Sequence, residues 1–274
     1  MPKLKESDFG RGAPVQWKIT HKVKRAIRSN IGKAGELFNW KKGITNRPKY
    51  NIKNQLTAGS CWGQAYSRFV QIIEDGEELS AKSAYAPVSY YADGGVAIPD
   101  AKRQAFLFGL TTEKKIPSHD KDGSSTEKFM SEKTWRTKQM MAECLLRSGY
   151  EMKNVEIDID KIAEAIRDYK AVIFVIQGQN NGTWLSARPT PPKNNNNIWA
   201  HYACSDSNIP KLNKGKKEIR FYNSWGNKIG EKGFQYLTEE YIKSGYVVDC
   251  FTFVKKTALS DDKGWWANFL KSVW

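Results

Sequence analysis

The chain has 274 residues, enough to bury one large domain or two lobes sharing a cleft. Hydrophobic residues make up 40% and include ten Trp, a globular composition, while no run approaches the roughly 18 consecutive apolar residues of a membrane-spanning helix. The formal charge of +15 is uneven: residues 1–53 hold about fourteen Lys or Arg against about three acids, so most of the excess belongs to one end.

Residues 1–36 read as a basic N-terminal arm. Within it VQWKITHKVKRAIRSNI (15–31) spaces Trp17, Val23, Ile27 and Ile31 among cations at helical intervals, which predicts a basic amphipathic helix. Such an arm is either solvated or docked on nucleic acid, an acidic protein or a membrane surface. MPKLKESDFGRG carries charge with no apolar stretch after it, so a cleavable secretory signal is not expected, and a cytoplasmic or virion-packaged location is.

Gly43 and Pro48 punctuate NWKKGITNRPKYNIKNQ, which reads as turns and extended chain. From Cys61 the pattern changes. Trp62, Ala65, Tyr66, Phe69, Ile72 and Ile73 share one helical face and Gly76 follows as a stop, which places Cys61 in the first turn of a helix. Further helices are predicted at 137–148 and at 160–169, the latter capped by Asp160. Between Cys61 and these, SHDKDGSS (118–125) has the flavour of a calcium loop but lacks the later acidic ligands, so no metal site is expected.

The second half is rich in strand signals: AVIFVIQ (171–177), WAHYACS (199–205), EIRFYNS (218–224), FQYLT (234–238) and YVVDCFTFV (246–254). NNNN (194–197) and the Lys-rich NIPKLNKGKKE (208–218) read as surface loops. A helical first half before a stranded second half gives an α+β class. Residues 257–274 form an aromatic C-terminal tail: SDDKGWWANFLKSVW predicts a helix capped by Ser260 or Asp261, with Trp265, Trp266, Phe269, Leu270 and Trp274 clustered to pack on the domain or to dock on a larger assembly. The four cysteines at 61, 144, 204 and 250 are too scattered for a disulfide framework.

Chemistry gathers around Cys61. A thiolate is the nucleophilic form of cysteine, and a helix N-terminus and a nearby imidazolium both favour it. Of the three histidines, His21 lies in the basic arm and His119 in SHDKDG, which reads as an exposed loop, leaving His201 within WAHYAC. Alone, His201 would more often be a core histidine. A base needs a partner for its other ring nitrogen, and Asn223 in FYNSWGNKIGEKGFQYL can supply a side-chain carbonyl, with Trp225 to cover it. The oxyanion formed in amide hydrolysis needs donors already in place; Gln55 offers its NH2 and Cys61 its backbone N–H.

These residues, in this order, resemble the papain-like cysteine peptidases. The family signature is C-G-[SA]-C-[WY], with His and Asn roughly 130 to 150 residues downstream. Here it reads Ala58-Gly59-Ser60-Cys61-Trp62, with His201 inside that spacing and Asn223 slightly beyond it. FNWKKGITNRPKYNIKNQ is similar to the family's entry segment, ending in the oxyanion glutamine Gln55. NSWGNKIGEKGFQYL is similar to its asparagine block, and DGGVAIPDAKRQAFLFGLTTEKKIP to its substrate-binding stretch.

The resemblance implies a domain over 37–256, with a helical lobe at about 50–152, an antiparallel β-barrel-like lobe at about 153–256, and the active cleft between them. It implies Cys61, His201 and Asn223 as catalytic residues, Gln55 as oxyanion donor, and Gly94, Gly95 and Trp225 in substrate binding. It implies no cofactor, and a protein or peptide as substrate. Ala58 replaces the first cysteine of the signature, so the family's usual disulfide there is not expected, and Cys144, Cys204 and Cys250 read as buried thiols. The implied activity is endopeptidase, with a cysteine amidase acting on peptidoglycan or a catalytically silent component of an assembly as alternatives.

Overall fold

A computed structural model describes residues 37–89 and 94–256. The helices expected at 15–31 and after Ser260 lie outside the described residues. The molecule is organised around AVIFVIQ. This run supplies strand β2 (Ile173–Gln179), and its apolar side chains point alternately into two separate cores. Ile173 and Val175 join Tyr202, Cys204, Phe251 and Phe253 on one face, whereas Phe174 and Ile176 join Trp184, Ala203, Ile219 and Leu237 on the other. A strand buried on both faces has no reason to alternate with polar residues.

The other strands are β1 (Tyr150–Asn154), β3 (Ile198–Ser205), β4 (Glu218–Tyr222), β5 (Phe234–Thr238) and β6 (Val247–Lys255). They form one antiparallel sheet in the order β1-β6-β2-β3-β4-β5. The expected barrel does not close. β1 and β5 are the two edges, and the sheet is instead covered by a helical layer on each face. β1 starts at Tyr150 and pairs with β6 throughout, so it straddles the boundary expected near residue 152.

Helix α1 (Cys61–Glu74) fills the first core. The sequence predicts an amphipathic helix, yet Cys61 through Ile72 are all buried. Its polar residues are accommodated internally: the Arg68 guanidinium donates to Gln71 Oε1 at 2.6 Å and to Asn51 O, and lies over the Tyr50 and Tyr222 rings. Trp62 anchors the apolar side, stacked on Tyr66 at 5.0 Å and edge-on to Tyr202 at 5.4 Å. Burying one such side chain contributes about 1.5–3 kcal/mol. The helix ends at Asp75, which adopts the left-handed conformation one residue before Gly76.

Short helices α2 (Ala81–Tyr85), α3 (Ile98–Arg103), α4 (Glu127–Ser131) and α5 (Lys138–Leu145) complete this layer. Thr126 and Thr137 cap α4 and α5 through their hydroxyls. α5 stops short of the expected residue 148, since Ser148 and Gly149 turn the chain into β1. On the opposite face lie α6 (Ile159–Tyr169) and α7 (Glu239–Lys243). The cap of α6 is Asp158 rather than Asp160, its Oδ1 accepting from Asp160 N and Lys161 N. Ile159 belongs to the buried stripe with Ile162, Ala163 and Ile166, so the helix must start earlier; Asp160 instead pairs with Lys217 and Trp40. The Lys-rich segment is not wholly a surface loop. Ile209 is buried and bridges Ile44, and Asn208 clasps the Arg47 backbone from both sides.

Candidate active site

Strands β3 and β4 pair only at Cys204–Tyr222 and Ser205–Phe221. Where they part, the N-terminus of α1 enters. Tyr202 N–H, on the β3 edge away from β2, donates to Cys61 Sγ at 3.4 Å. The thiol thus sits at the first residue of a 14-residue helix, against the strand residue that follows His201. Both the helix N-terminus and this N–H favour negative charge on the sulfur. Cys61 and His201 are each 0% exposed.

His201 shares its face of β3 with Trp199. The Trp225 ring lies 5.1 Å from the imidazole at 47°, and Trp199 at 6.5 Å, nearly perpendicular. Trp184 packs on both indoles, at 5.9 Å from Trp225 and 4.8 Å from Trp199. Trp225 is itself only 2% exposed and packs within this aromatic cage. Asn223 follows the last residue of β4 and is fully buried; its Nδ2 donates to Gln235 Oε1 at 2.5 Å.

Gln55 is held by the chain that leaves β4. Its N–H donates to Ser224 O at 2.7 Å, Gly226 N–H donates to Lys53 O, and Asn54 bridges Trp225. Ser224 Oγ donates to Gln55 Oε1 at 2.5 Å, which turns the amide nitrogen toward the Cys61 loop, where it donates to Ala58 O at 2.9 Å. His119 is half-buried rather than exposed and its Nε2–H donates to Asn54 O at 2.8 Å, bracing the same segment. His21 lies outside the described residues.

Gly94 and Gly95 run backbone to backbone with the Cys61 loop. A Cβ on Gly59 would stand 3.0 Å from Gly94 Cα and Gly95 N, and one on Gly94 would stand 2.7 Å from Glu127 Oε2. Gly94 also has φ of +83°, a conformation that residues with a side chain rarely adopt, so the backbone there favours glycine. The Glu127 carboxylate ties the two segments together. It accepts from Gly59 N–H at 2.8 Å and from Tyr85 O–H at 2.5 Å, while Tyr85 Oη accepts from Gly95 N–H at 2.9 Å. Burial, then the Glu127 charge, push the Tyr85 phenol far above its ordinary value.

None of the four cysteines is in a disulfide, and their surroundings differ. Burial pushes Cys144 up to about 12, and raises Cys204 and Cys250 further. Behind the site, burial and the neighbouring Arg68 lower Lys53 to about 8; its ammonium donates to Leu79 O at 2.7 Å. No group of three or more metal-ligating side chains occurs among the described residues.

Sequence reasoning missed Glu127 and Gln235. Gln235 left a signal, since it shares a strand face with buried Leu237 and a polar residue there must have partners. Glu127 left none beyond its position after a capping Thr126.

No family model and no curated protein matches the chain. Solved structures do. Xylellain, a cysteine protease from Xylella fastidiosa, aligns with a TM-score of 0.64 at 18% identity over 93% of this chain and 99% of that one. Digestive procathepsin L 3 of Tenebrio molitor gives 0.61 at 14% identity, over 90% and 77%. The bromelain protease from Ananas comosus in complex with E64 gives 0.54 at 16%, over 81% and 100%. At these identities the likeness is one of architecture, and the helical layer, the antiparallel sheet and the seam between them are those of a papain-like fold.

Proposed function

We propose that the chain is a cysteine endopeptidase that hydrolyses peptide bonds through a thioester acyl-enzyme. The observation that carries this reading is the seat of Cys61: first residue of a buried helix, its sulfur accepting Tyr202 N–H beside His201, in a papain-like fold. Cys61 attacks the scissile carbonyl as thiolate, and the His201 imidazolium gives its proton to the leaving amine. Neutral His201 then draws a proton from water as the thioester is hydrolysed. Asn223 orients the imidazole, while Gln55 and the Cys61 N–H hold the oxyanion in both steps. Trp225 keeps water from the imidazole. Gly94 and Gly95, close to the Cys61 loop, present backbone to an extended peptide.

Casein and a mixed peptide library are the test substrates, with Cys61→Ala as control and E64 as inhibitor. Cleavage that vanishes in the variant and on E64 treatment supports the reading. Clearing of bacterial cell walls without cleavage of casein would make it a peptidoglycan amidase instead.

One observation favours a second reading, a catalytically silent component: neither Cys61 nor His201 has exposed surface. Deletion of residues 1–36 separates the two. A peptidase whose arm blocks the cleft gains activity on deletion; a silent protein stays inert.

A further inference from the structure

Asn223 can orient an imidazole only if its carbonyl oxygen, not its NH2, faces the ring, and nothing in an asparagine itself selects between the two. The selection lies one hydrogen bond away. Gln235 Nε2 donates to two backbone carbonyls, Trp184 O and Ser186 O, each at 2.7 Å. Carbonyls only accept, so this end of Gln235 must be the nitrogen and its Oε1 must face Asn223. Oε1 also only accepts. Asn223 is therefore obliged to present its NH2 to Gln235, at 2.5 Å, and its Oδ1 to the other side.

That other side is the one that matters. Tyr222 pairs with Cys204, so the antiparallel chain leaving β4 at Asn223 runs back along β3 toward His201, and Trp225 reaches the imidazole two residues later. Asn223 Oδ1 is buried and accepts no hydrogen bond among the described residues. Gln235 is 0% exposed, where an amide side chain is costly without full pairing. All three of its partners are in place.

We propose that Gln235 is a positioning residue for the catalytic centre: it fixes the orientation of the Asn223 amide so that Oδ1, rather than NH2, is offered to His201. This rests on the peptidase reading. With a Gln235 that could not accept, the Asn223 amide would be free to turn, and its NH2 would repel a protonated ring nitrogen instead of stabilising it.

The test follows Cys61 alkylation by iodoacetamide from pH 4 to 9, located by mass spectrometry, on the full-length chain. Unmodified chain, Gln235→Met, Asn223→Ala and the double variant are compared. The unmodified chain labels fast down to acidic pH. Gln235→Met loses about tenfold of its rate at pH 5, equivalent to roughly one unit in the pH profile, and the double variant loses no more than Asn223→Ala alone. A Gln235→Met profile that overlays the unmodified one, or losses that multiply in the double variant, would overturn the role.

Gln235→Glu guards against simple loss of packing. Its carboxyl still accepts from Asn223 and, when protonated, still donates to a carbonyl, so acid labelling stays within about threefold of the unmodified chain even though melting falls. Loss of acid labelling in Gln235→Glu with the fold intact also counts against the proposal. An ordinary-thiol profile both in the unmodified chain and after deletion of residues 1–36 would remove the peptidase reading itself, a result distinct from either failure.

Discussion

Replacing Glu127 by Ala is expected to loosen the Cys61 loop and the glycine pair together. The carboxylate accepts two hydrogen bonds, from Gly59 N–H at 2.8 Å and Tyr85 O–H at 2.5 Å. Bonds to a charged group contribute about 1.5–3 kcal/mol each. Glu127 is half-buried, so water recovers part of that, and the net loss is about 2–3 kcal/mol. In a domain of this size the melting temperature falls by about 5–10 °C. Tyr85 is 0% exposed and also holds Gly95 N–H, so Tyr85→Phe breaks the same relay at its other end. Urea unfolding of the two single variants and the double measures their coupling, expected at about 1 kcal/mol or more. Single variants within about 0.5 kcal/mol of the parent, or a strictly additive double, would refute the relay.

Cys61 is as buried as the other thiols, but its sulfur sits at a helix N-terminus and accepts Tyr202 N–H, so iodoacetamide at pH 7 should label it and spare Cys144, Cys204 and Cys250, which burial raises; equal labelling of all four in the folded chain would contradict the assignment. Lys53 has a folded value near 8 against 10.5, so the unfolded chain binds more protons between these values. The burial penalty is therefore full below pH 8 and is relieved as pH rises toward 10.5, by about 3 kcal/mol in all. The stability difference between parent and Lys53→Met should climb across that window, and a flat difference would rule the effect out. Gly178→Ala puts a Cβ 2.3 Å from the Trp199 ring and 2.7 Å from Trp184 Nε1. Overpacking should cost about 1–3 kcal/mol by urea unfolding and shift the Trp fluorescence of the cage over His201, and an unchanged spectrum and stability would show that the cage has room to spare.

The strands were legible where burial imposes a period. FQYLT coincides with β5, and AVIFVIQ and WAHYACS fall within a residue or two of β2 and β3, because apolar β-branched and aromatic residues have few other places to go. YEMKN was not legible as β1: its side chains are mostly half-buried and mixed in character, and its partner β6 lies about a hundred residues away. The open sheet was invisible for a related reason, since closure depends on whether two edges meet and no local pattern encodes that. Asp158 and Asp160 show the limit on a finer scale. Both are good caps, and the choice was made by Ile159 joining the core.

Within the candidate site, residues whose chemical type suits the proposed reaction were readable and residues that hold the backbone in place were not. Cys61, His201, Asn223 and Gln55 stand out because few side chains could do such work at such spacing. Glu127 stands where any acidic residue would pass as the first turn of a short helix. Yet it matters for how the fold works without a disulfide at Ala58. A disulfide stabilises mainly by restricting the unfolded chain. The relay from Glu127 to Gly59, and through Tyr85 to Gly95, acts on the folded state alone and aligns the loop carrying Cys61 with the Gly94–Gly95 segment. Such a tie is indifferent to redox potential. Strong thiol reductants should therefore leave both stability and Cys61 reactivity unchanged. Loss of melting temperature on reduction at neutral pH would mean that something other than this relay holds the site.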